Sequence, residues 1–330
     1  MICILEPKSD QALSGTILFN QALAAASHGK IEVLEVDADE LEGYAGAEIV
    51  LLDSAWLYAP EARHLEKSAS HGFLVHSLPD AKKDWLALFQ VCDHLVATSK
   101  PIMNRLETAL PDQRITLCEP GVDTRLRSLL PQPREHDLLR LITVANIMPR
   151  KGFREAVDFL EAIEAKGLLW HWYIVGEPSA DRGFNGLSEI DETYFDELTG
   201  ILSEYGWEDE VSFVGPMTME QQIRLYLNMD VAFFPSREET FGHTLLEAAQ
   251  LGLPVLTTKV GIAEELFDDD REALLVPAPL SVQSVPLGLA FLQRYAGLDK
   301  NVRVKRDHPL LSRSWGRAAE ELLKAVRPIN

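Results

Sequence analysis

The chain has 330 residues, of which 46% are hydrophobic and 25% charged, a composition typical of a globular protein of about two domains. Its formal net charge is −20, and a field of that sign repels nucleic acid and anionic lipid, so neither is expected as a partner. No apolar run approaches the ~20 residues of a membrane helix. The first residues, MICILEPKSD, lack the basic and long apolar regions of a signal peptide. We therefore expect no integral membrane segment and a cytoplasmic location.

Short apolar strands alternate with amphipathic helices in the first part of the chain. The segment ICIL predicts a strand, and SGTILFNQALAAASHG predicts a helix that ends at Gly29. Further predicted strands are IEVLEV, AEIVLLD, GFLVH, HLVATS and ITLCE. This alternation indicates a parallel sheet with helices on both faces.

A stretch rich in proline and charge, residues 120–137, shows no clear period and is interpreted as an interdomain linker. The alternation then restarts, with helices predicted over 153–167, around 219–228 and 243–251, and at the C-terminus. The predicted strands are LRLITVAN, WHWYIVG, VSFVG, VAFFPS, PVLTT and ALLVP. The fold class expected is therefore α/β, with two doubly wound, Rossmann-like domains. Their ligand is expected outside the carboxyl ends of the strands, in a cleft between the facing domains.

The residues suited to metal binding are sparse. The three cysteines are odd in number and not spaced as metal ligands, so reduced thiols are expected rather than a disulfide or a zinc site. The run Asp268–Asp270 is interpreted as a solvated acidic turn. No metal site is predicted.

The segment 233–256, FFPSREETFGHTLLEAAQLGLPVL, carries the most chemistry. Gly242 lets the backbone approach a ligand, and the helix that follows offers unpaired N–H groups suited to a phosphate. Glu239 precedes those donors, and Glu247 lies about one turn into the helix. Carboxylates accept hydrogen bonds from hydroxyl groups, so hydroxyls on both sides of a diphosphate fit this arrangement, as in a sugar nucleotide. Spacing alone equally allows a solvated loop acid and a helix acid at the edge of the core.

The pattern strand-PS-x-x-E-x-F-G-x-x-x-x-E-A-x-x-x-G-x-P-V resembles the signature of the GT-B glycosyltransferases of family 4, which are retaining and use nucleotide sugars. Eight other segments resemble further parts of the same family: SGTILFNQAL, FLVHSLPD, LVATS, CEPGVDTRL, VANIMPRKGFREAVDFL, WHWYIVGEP, VSFVGPM and SRSWGRAAEELL. The resemblance implies a GT-B arrangement in three segments. They are an acceptor-side domain at 1–130, a nucleotide-sugar-binding domain at 131–305, and a C-terminal helix within 306–330 that packs back toward the first domain.

The resemblance also implies roles for individual residues. His76, Lys151 and Glu239 are expected to be catalytic: His76 positions the donor sugar near its reacting carbon, and Lys151 pairs with the diphosphate. The expected substrate-binding residues are Gly15, Arg150, Phe241, Gly242, His243, Thr244 and Glu247. Each has a plainer alternative, such as a solvated cation for Lys151, a turn glycine for Gly15 or a strand-end histidine for His76. Asp53 and Asp123 are interpreted as structural.

The implied function is transfer of a hexose, with retention, from a UDP-, GDP- or ADP-linked sugar to an unidentified acceptor hydroxyl, with neither metal nor cofactor. The sequence departs from the family at Asn146, where an arginine is usual, and at Ser14, where a second glycine is common. These departures keep a second hypothesis open, a weakened GT-B binding or regulatory subunit that holds a nucleotide sugar without turnover. A nicotinamide oxidoreductase is excluded, because no G-x-G-x-x-G follows the first strand of either half.

Overall fold

The chain groups into two compact units in a computed structural model, which describes residues 1–8, 15–44, 49–58, 72–79, 83–130, 138–178, 193–267, 272–296 and 302–326. The first unit contains described residues of Met1–Asp123 and Ser312–Asn330, and the second those of Thr124–Asp181 and Ser188–Leu311. The junctions lie at 123/124 and 311/312. The domain boundaries expected from the sequence are 130/131 and 305/306, and the roles assigned to the three segments stay a prediction.

The described strands of the first unit form one parallel sheet in the order β2-β1-β3-β4-β5-β6. The strands are β1 Ile2–Pro7, β2 Ile31–Val36, β3 Ile49–Asp53, β4 Gly72–Val75, β5 His94–Ala97 and β6 Ile115–Leu117. The chain passes from β1 to β2 at one edge of the sheet and then returns to form β3 on the other side of β1. The topological switch point therefore lies between β1 and β3, where a doubly wound sheet binds its ligand beyond the strand ends.

Helices cover both faces of this sheet: α1 Gly15–Ala26, α2 Lys83–Gln90, α3 Lys100–Ala109 and α11 Trp315–Ala325. Side chains alternate along β1, so Leu5 joins one buried cluster and Ile4 the other. Burial on both faces explains why the strand reads as a continuous apolar run. The C-terminal helix α11 belongs to the second of these clusters through Ala318 and Leu322, beside Phe19 of α1.

The described strands of the second unit form a parallel sheet in the order β12-β11-β10-β7-β8-β9. The strands are β7 Leu139–Val144, β8 Trp170–Val175, β9 Val211–Gly215, β10 Val231–Phe234, β11 Val255–Thr258 and β12 Ala273–Val276. The helices are α4 Phe153–Glu164, α5 Thr193–Glu204, α6 Met219–Tyr226, α7 His243–Gln250, α8 Ala263–Leu266 and α9 Val285–Gln293, with α10 Pro309–Ser312 at the junction. The switch point of this Rossmann-type order lies between β7 and β10.

Helix α4 shows how the second core is made. Its apolar residues recur at three- and four-residue spacing, so one face is buried against the sheet. Phe159 on that face lies 5.9 Å, centroid to centroid, from Phe233 of β10. It also lies against Gly288 of α9, where a Cβ would be 2.3 Å from the ring. The glycine therefore sets how closely α9 approaches α4.

The predicted strands are confirmed at their positions, and the remaining differences are local. The first helix ends at Ala26, before the predicted Gly29, because His28 and Gly29 both have a left-handed backbone. The first residues of the predicted linker 120–137 are in regular structure. Val122 forms a β-bridge with Ser314, and Thr124–Ser128 is a short 3-10 helix. Residues 131–137 and 268–270 lie outside the described residues. Within the part described, no helix is long and apolar enough to cross a membrane.

Candidate functional site

Two loops meet at the switch point of the second unit. One follows β7 and contains Arg150 and Lys151, and the other follows β10 and begins at Pro235. The backbone N–H of Arg237 donates to the carbonyl of Arg150 at 2.8 Å. Gly152 has φ +72° and lies so close that a Cβ would be 2.0 Å from the Pro235 carbonyl oxygen. Only glycine allows this approach, so the residue after Lys151 holds the two loops together.

Lys151 and Glu239 are direct partners. Their Nζ and Oε1 atoms are 2.6 Å apart, and the two side chains are 15% and 19% exposed. The Ser236 hydroxyl donates to the same carboxylate oxygen at 2.9 Å. Burial alone would raise the pKa of Glu239, but the charges of Lys151 and Arg150 and the hydrogen bonds from Lys151 and Ser236 outweigh it, and the pKa lies below its ordinary value. Glu239 is therefore a carboxylate at neutral pH.

Helix α7 begins directly beyond this pair. Gly242 precedes it with φ +103°, and no side chain caps the helix start. Phe241 is buried, and its ring centroid is 4.9 Å from that of His243. Thr244 lines a small pocket together with Ser236, Glu239 and Gly242. A helix start without a side-chain cap attracts an anion, because its N–H groups carry the positive end of the helix dipole.

Glu247 is a partly buried acid, and one of its two carboxylate oxygens lacks a partner among the described residues. Its Oε2 atom is buried and has no hydrogen-bond partner in the part of the chain that the structure describes. Burial raises its pKa to about 7. Burial, together with the charge of Glu247, also raises the pKa of the nearby Tyr226 well above its ordinary value. An unsatisfied carboxylate oxygen is costly, so a ligand hydroxyl that donates to it would bind with a gain in free energy.

A third loop, which the sequence analysis did not single out, closes the same pocket. It follows β11, and Val260 lines the pocket. The backbone N–H of Ile262 donates to the Phe241 carbonyl at 2.8 Å. Gly261 has φ +58°, and a Cβ there would lie 2.2 Å from that carbonyl oxygen. The available signal was the position of this glycine, just beyond a strand that ends at the same edge of the sheet.

Asn146, the residue that departs from the family arginine, follows β7 and is partly buried. The neighbouring Ala145 packs tightly, since a Cβ on Gly176 would be 2.1 Å from its carbonyl oxygen. Arg150 lies close enough to lower the pKa of Glu239. The structure thus brings a second cation near the pocket through Arg150.

The first unit holds the remaining predicted residues. Gly15 is the first residue of α1, while Ser14 and the loop before it lie outside the described residues. His76 directly follows β4 and is only 7% exposed. Its backbone N–H donates to the Ser54 hydroxyl at 2.9 Å, and its ring meets that of Phe19 edge-on with centroids 4.8 Å apart. The ring of His76 is therefore held by packing as well as by hydrogen bonds.

His76 belongs to a buried polar cluster that we define as Glu6, Asn20, Asp53 and His76. The Asn20 amide nitrogen lies 2.6 Å from Glu6 Oε1 and 2.6 Å from Asp53 Oδ2. The Asn20 Oδ1 atom lies 3.1 Å from His76 Nε2, which is also 3.5 Å from Asp53 Oδ2. Sequence analysis missed Glu6 and Asn20 and took Asp53 as structural. The one available signal was an acid at the end of each of two apolar strands beside the switch point.

Burial dominates the charges of this cluster. It raises the pKa of Glu6 to about 7 and that of Asp53 to about 6. It lowers the pKa of His76 to about 3, so the imidazole is neutral at physiological pH. Across the described residues, no group of three or more His, Cys, Asp or Glu side chains is arranged to hold a metal ion.

Comparisons with known proteins bear on the family and the fold of the chain. Residues 131–293 match the family described as glycosyl transferases group 1. The D-inositol 3-phosphate glycosyltransferase of Acidothermus cellulolyticus is 27% identical over 177 residues, which is 52% of this chain and 37% of the relative. The chain spans 37% to 48% of the length of such curated relatives.

Two solved structures are similar over nearly the whole chain. Sucrose-phosphate synthase from Thermosynechococcus elongatus has a TM-score of 0.67 at 17% identity and covers 99% of this chain and 94% of its own. Anabaena Alr3699/HepE in complex with UDP-glucose has a TM-score of 0.66 at 15% identity, and the similarity covers 97% of this chain and 94% of the HepE chain. The chain therefore has the GT-B fold, and its residues 131–293, just under half of the chain, match the glycosyl transferases group 1.

Proposed function

We propose that this protein is a retaining glycosyltransferase that moves a hexose from a nucleotide-diphosphate sugar to an acceptor hydroxyl without a metal ion. One observation carries the proposal. At the switch point of the family-matched unit, Glu239 and the start of helix α7, which has no side-chain cap, line one pocket. The partly buried cation Lys151 contacts Glu239, and the second acid, Glu247, lies on helix α7 with a carboxylate oxygen that is unpaired among the described residues. These groups match a diphosphate flanked by hydroxyls.

Lys151 and Arg150 are proposed to bind the diphosphate together with the backbone N–H groups of residues 241–244. Lys151 is neutralised by Glu239 at 2.6 Å, so an incoming diphosphate would take over the cation and release the carboxylate for a sugar hydroxyl. Glu247 would accept a hydrogen bond from a hydroxyl at the other end of the donor. The buried, unpartnered Oε2 of Glu247 supports this assignment.

His76 is proposed to position the sugar rather than to act as a proton donor in the reaction. Burial lowers its pKa to about 3, and a neutral imidazole is a poor acid. Gly15, at the start of α1, is proposed to let the backbone of the first unit approach the phosphates. In the proposed reaction, the new glycosidic bond forms on the face from which the diphosphate leaves, and the departing diphosphate takes the proton of the acceptor hydroxyl. Lys151 would stabilise the negative charge that develops on it, an effect worth about 3 kcal/mol for one such donor.

A UDP-linked hexose is the first donor to test, because the similar HepE structure contains UDP-glucose. Thermal unfolding of the protein with UDP, GDP, ADP and the corresponding glucose conjugates would identify the nucleotide. Release of free nucleotide from the conjugate that stabilises most would then measure turnover. Stabilisation without release, with or without added sugar acceptors, would instead favour the non-catalytic binding subunit.

The roles of Lys151 and Glu239 are tested by replacing each with alanine. We expect turnover to fall at least ~100-fold in each case, because each variant removes a group that contacts the donor. Glu238→Ala and Lys166→Ala are matched controls, since both side chains are exposed and lie in the same unit. Near-normal rates in both site variants, measured on protein with wild-type circular dichroism, would contradict the assigned roles.

A further inference from the structure

The buried polar cluster of the first unit has a feature that donor binding does not require. Asn20 is 0% exposed and hydrogen-bonds with all three other members, although they come from β1, β3 and the residue after β4. The side chains of Glu6 and Asp53 are also almost fully buried. A buried group whose partners all match it in donor and acceptor character adopts one orientation.

The two carboxylates determine how the Asn20 amide is oriented. An ionised carboxylate only accepts hydrogen bonds, so Glu6 and Asp53 must face the two N–H bonds of the amide. The reversed amide would place its oxygen 2.6 Å from both carboxylates, which is repulsive. One ionised carboxylate is enough for this choice. The Asn20 oxygen therefore faces His76.

The orientation of Asn20 in turn selects the tautomer of His76. The Asn20 Oδ1 atom can only accept, so His76 Nε2, at 3.1 Å, must carry the hydrogen. Asp53 Oδ2 lies 3.5 Å from the same nitrogen and favours the same tautomer. The second ring nitrogen, Nδ1, is then a hydrogen-bond acceptor. Within the described ranges, no side chain or backbone group hydrogen-bonds to it.

We propose that Asn20 is a positioning residue that, with Glu6 and Asp53, holds His76 in the Nε2–H tautomer and leaves Nδ1 to accept a hydrogen bond from a hydroxyl of the transferred sugar. The sugar contact rests on the proposed function, whereas the tautomer follows from the cluster itself. The edge-on contact with Phe19 and the backbone bond to Ser54 keep the ring in place while Nδ1 receives the hydroxyl. A wrong tautomer would present an N–H to that hydroxyl and lose the acceptor.

The wild-type protein tests the tautomer directly. Protein labelled with ¹⁵N-histidine would be studied by NMR at about pH 8, where both carboxylates are ionised. The His76→Gln spectrum would assign the His76 ring signals by difference. We expect a protonated Nε2 and an unprotonated Nδ1. A hydrogen on Nδ1, or a doubly protonated ring, would overturn the proposal, and this result is read from the wild-type protein itself.

Three variants test the positioning role with UDP-, GDP- and ADP-glucose as donors. Asn20→Leu removes the acceptor, and we expect kcat for nucleotide release to fall about 10- to 100-fold with a much smaller change in KM. Asn20→Gln keeps both the amide N–H donors and the acceptor oxygen and should recover part of the loss. Asn104→Leu, the same change at an exposed site on α3, should leave turnover unchanged.

The outcomes separate the two proposals. Unchanged kcat in a folded Asn20→Leu protein, alongside a strong loss in His76→Gln, would refute the role of Asn20 while the function stood. No nucleotide release from any donor by the wild type, with Nε2–H observed, would refute the proposed function and the sugar contact but not the tautomer. If Asn20→Leu does not fold, Asn20→Gln and the wild-type NMR measurement decide.

Discussion

The contact between Lys151 and Glu239 leads to a prediction on stability whose sign depends on pH. In the Lys151→Met variant, Glu239 keeps the Ser236 hydroxyl but loses its cation. The two side chains are 15% and 19% exposed, so the loss should exceed the ~1 kcal/mol typical of an exposed ion pair. It should stay below the ~3–5 kcal/mol of breaking a fully buried pair. We expect the second unit to lose about 2 kcal/mol near neutral pH.

The pH dependence follows from the pKa of Glu239. In the wild type this pKa is lowered, so the stabilisation is present above the unfolded pKa and is lost as the pH falls through the folded value. In the variant, burial becomes the dominant influence and raises the pKa, so the variant gains stability as the pH falls. The free-energy difference between the two proteins should therefore be largest near neutral pH and shrink as the pH falls toward the ordinary pKa of a glutamate.

Urea unfolding followed by tryptophan fluorescence would measure this difference, with Trp172 as a buried reporter in the second unit. Lys166→Met is the matched control at an exposed position of the same unit. Adding Glu239→Gln completes a double-mutant cycle, in which the double variant should lose less than the sum of the single losses. Additivity within about 0.5 kcal/mol, or a pH-independent loss, would refute the coupling.

Three further predictions concern the same pocket. Glu247→Gln should stabilise the ligand-free protein by roughly 2 kcal/mol above about pH 7 and give no gain near pH 4, because the raised pKa of Glu247 costs stability as the pH rises. The stabilisation of the protein by bound nucleotide should fall in this variant. A melting temperature equal to that of the wild type at high pH would contradict the prediction. Gly261→Ala should destabilise the protein by more than about 1 kcal/mol in urea unfolding, because Gly261 has a positive φ and a Cβ there would clash with the Phe241 carbonyl. The control is Gly200→Ala in α5, where a Cβ meets open space, so this variant should be neutral or stabilising. Arg150→Ala should lower nucleotide release less than removal of the neighbouring lysine does, about 10-fold, and an equal loss would give Arg150 the principal role.

Local sequence accounts for the secondary structure and for part of the site. Continuous apolar runs such as β1 and β7 predicted buried parallel strands, because such strands need apolar side chains on both faces. The stretch 233–256 predicted a strand, a ligand loop and a helix start within one continuous segment. The domain boundaries stay a prediction, because contacts rather than composition define where one unit ends.

Partners far apart in the chain could not be predicted from local pattern. Lys151 and Glu239 are 88 residues apart, and their roles were expected to differ, yet in the ligand-free protein they neutralise each other. The sequence analysis did not single out Gly261, because its contact with the Phe241 carbonyl joins two different loops. Such contacts depend on which strand ends are neighbours, and the strand order supplies that information.

The order of strands and helices, the family pattern and the positions of Glu239, Glu247 and Lys151 were determined by the sequence alone, because each is a property of a short continuous segment. Tertiary structure alone brought Glu6, Asn20, Asp53 and His76 together, across separations of 14, 33 and 56 residues from Asn20. The physical reason is that burial and hydrogen-bond matching are properties of a three-dimensional neighbourhood. An asparagine in an amphipathic helix carries no sign of its partners, and only the fold sets the charge and tautomer of the histidine beside it.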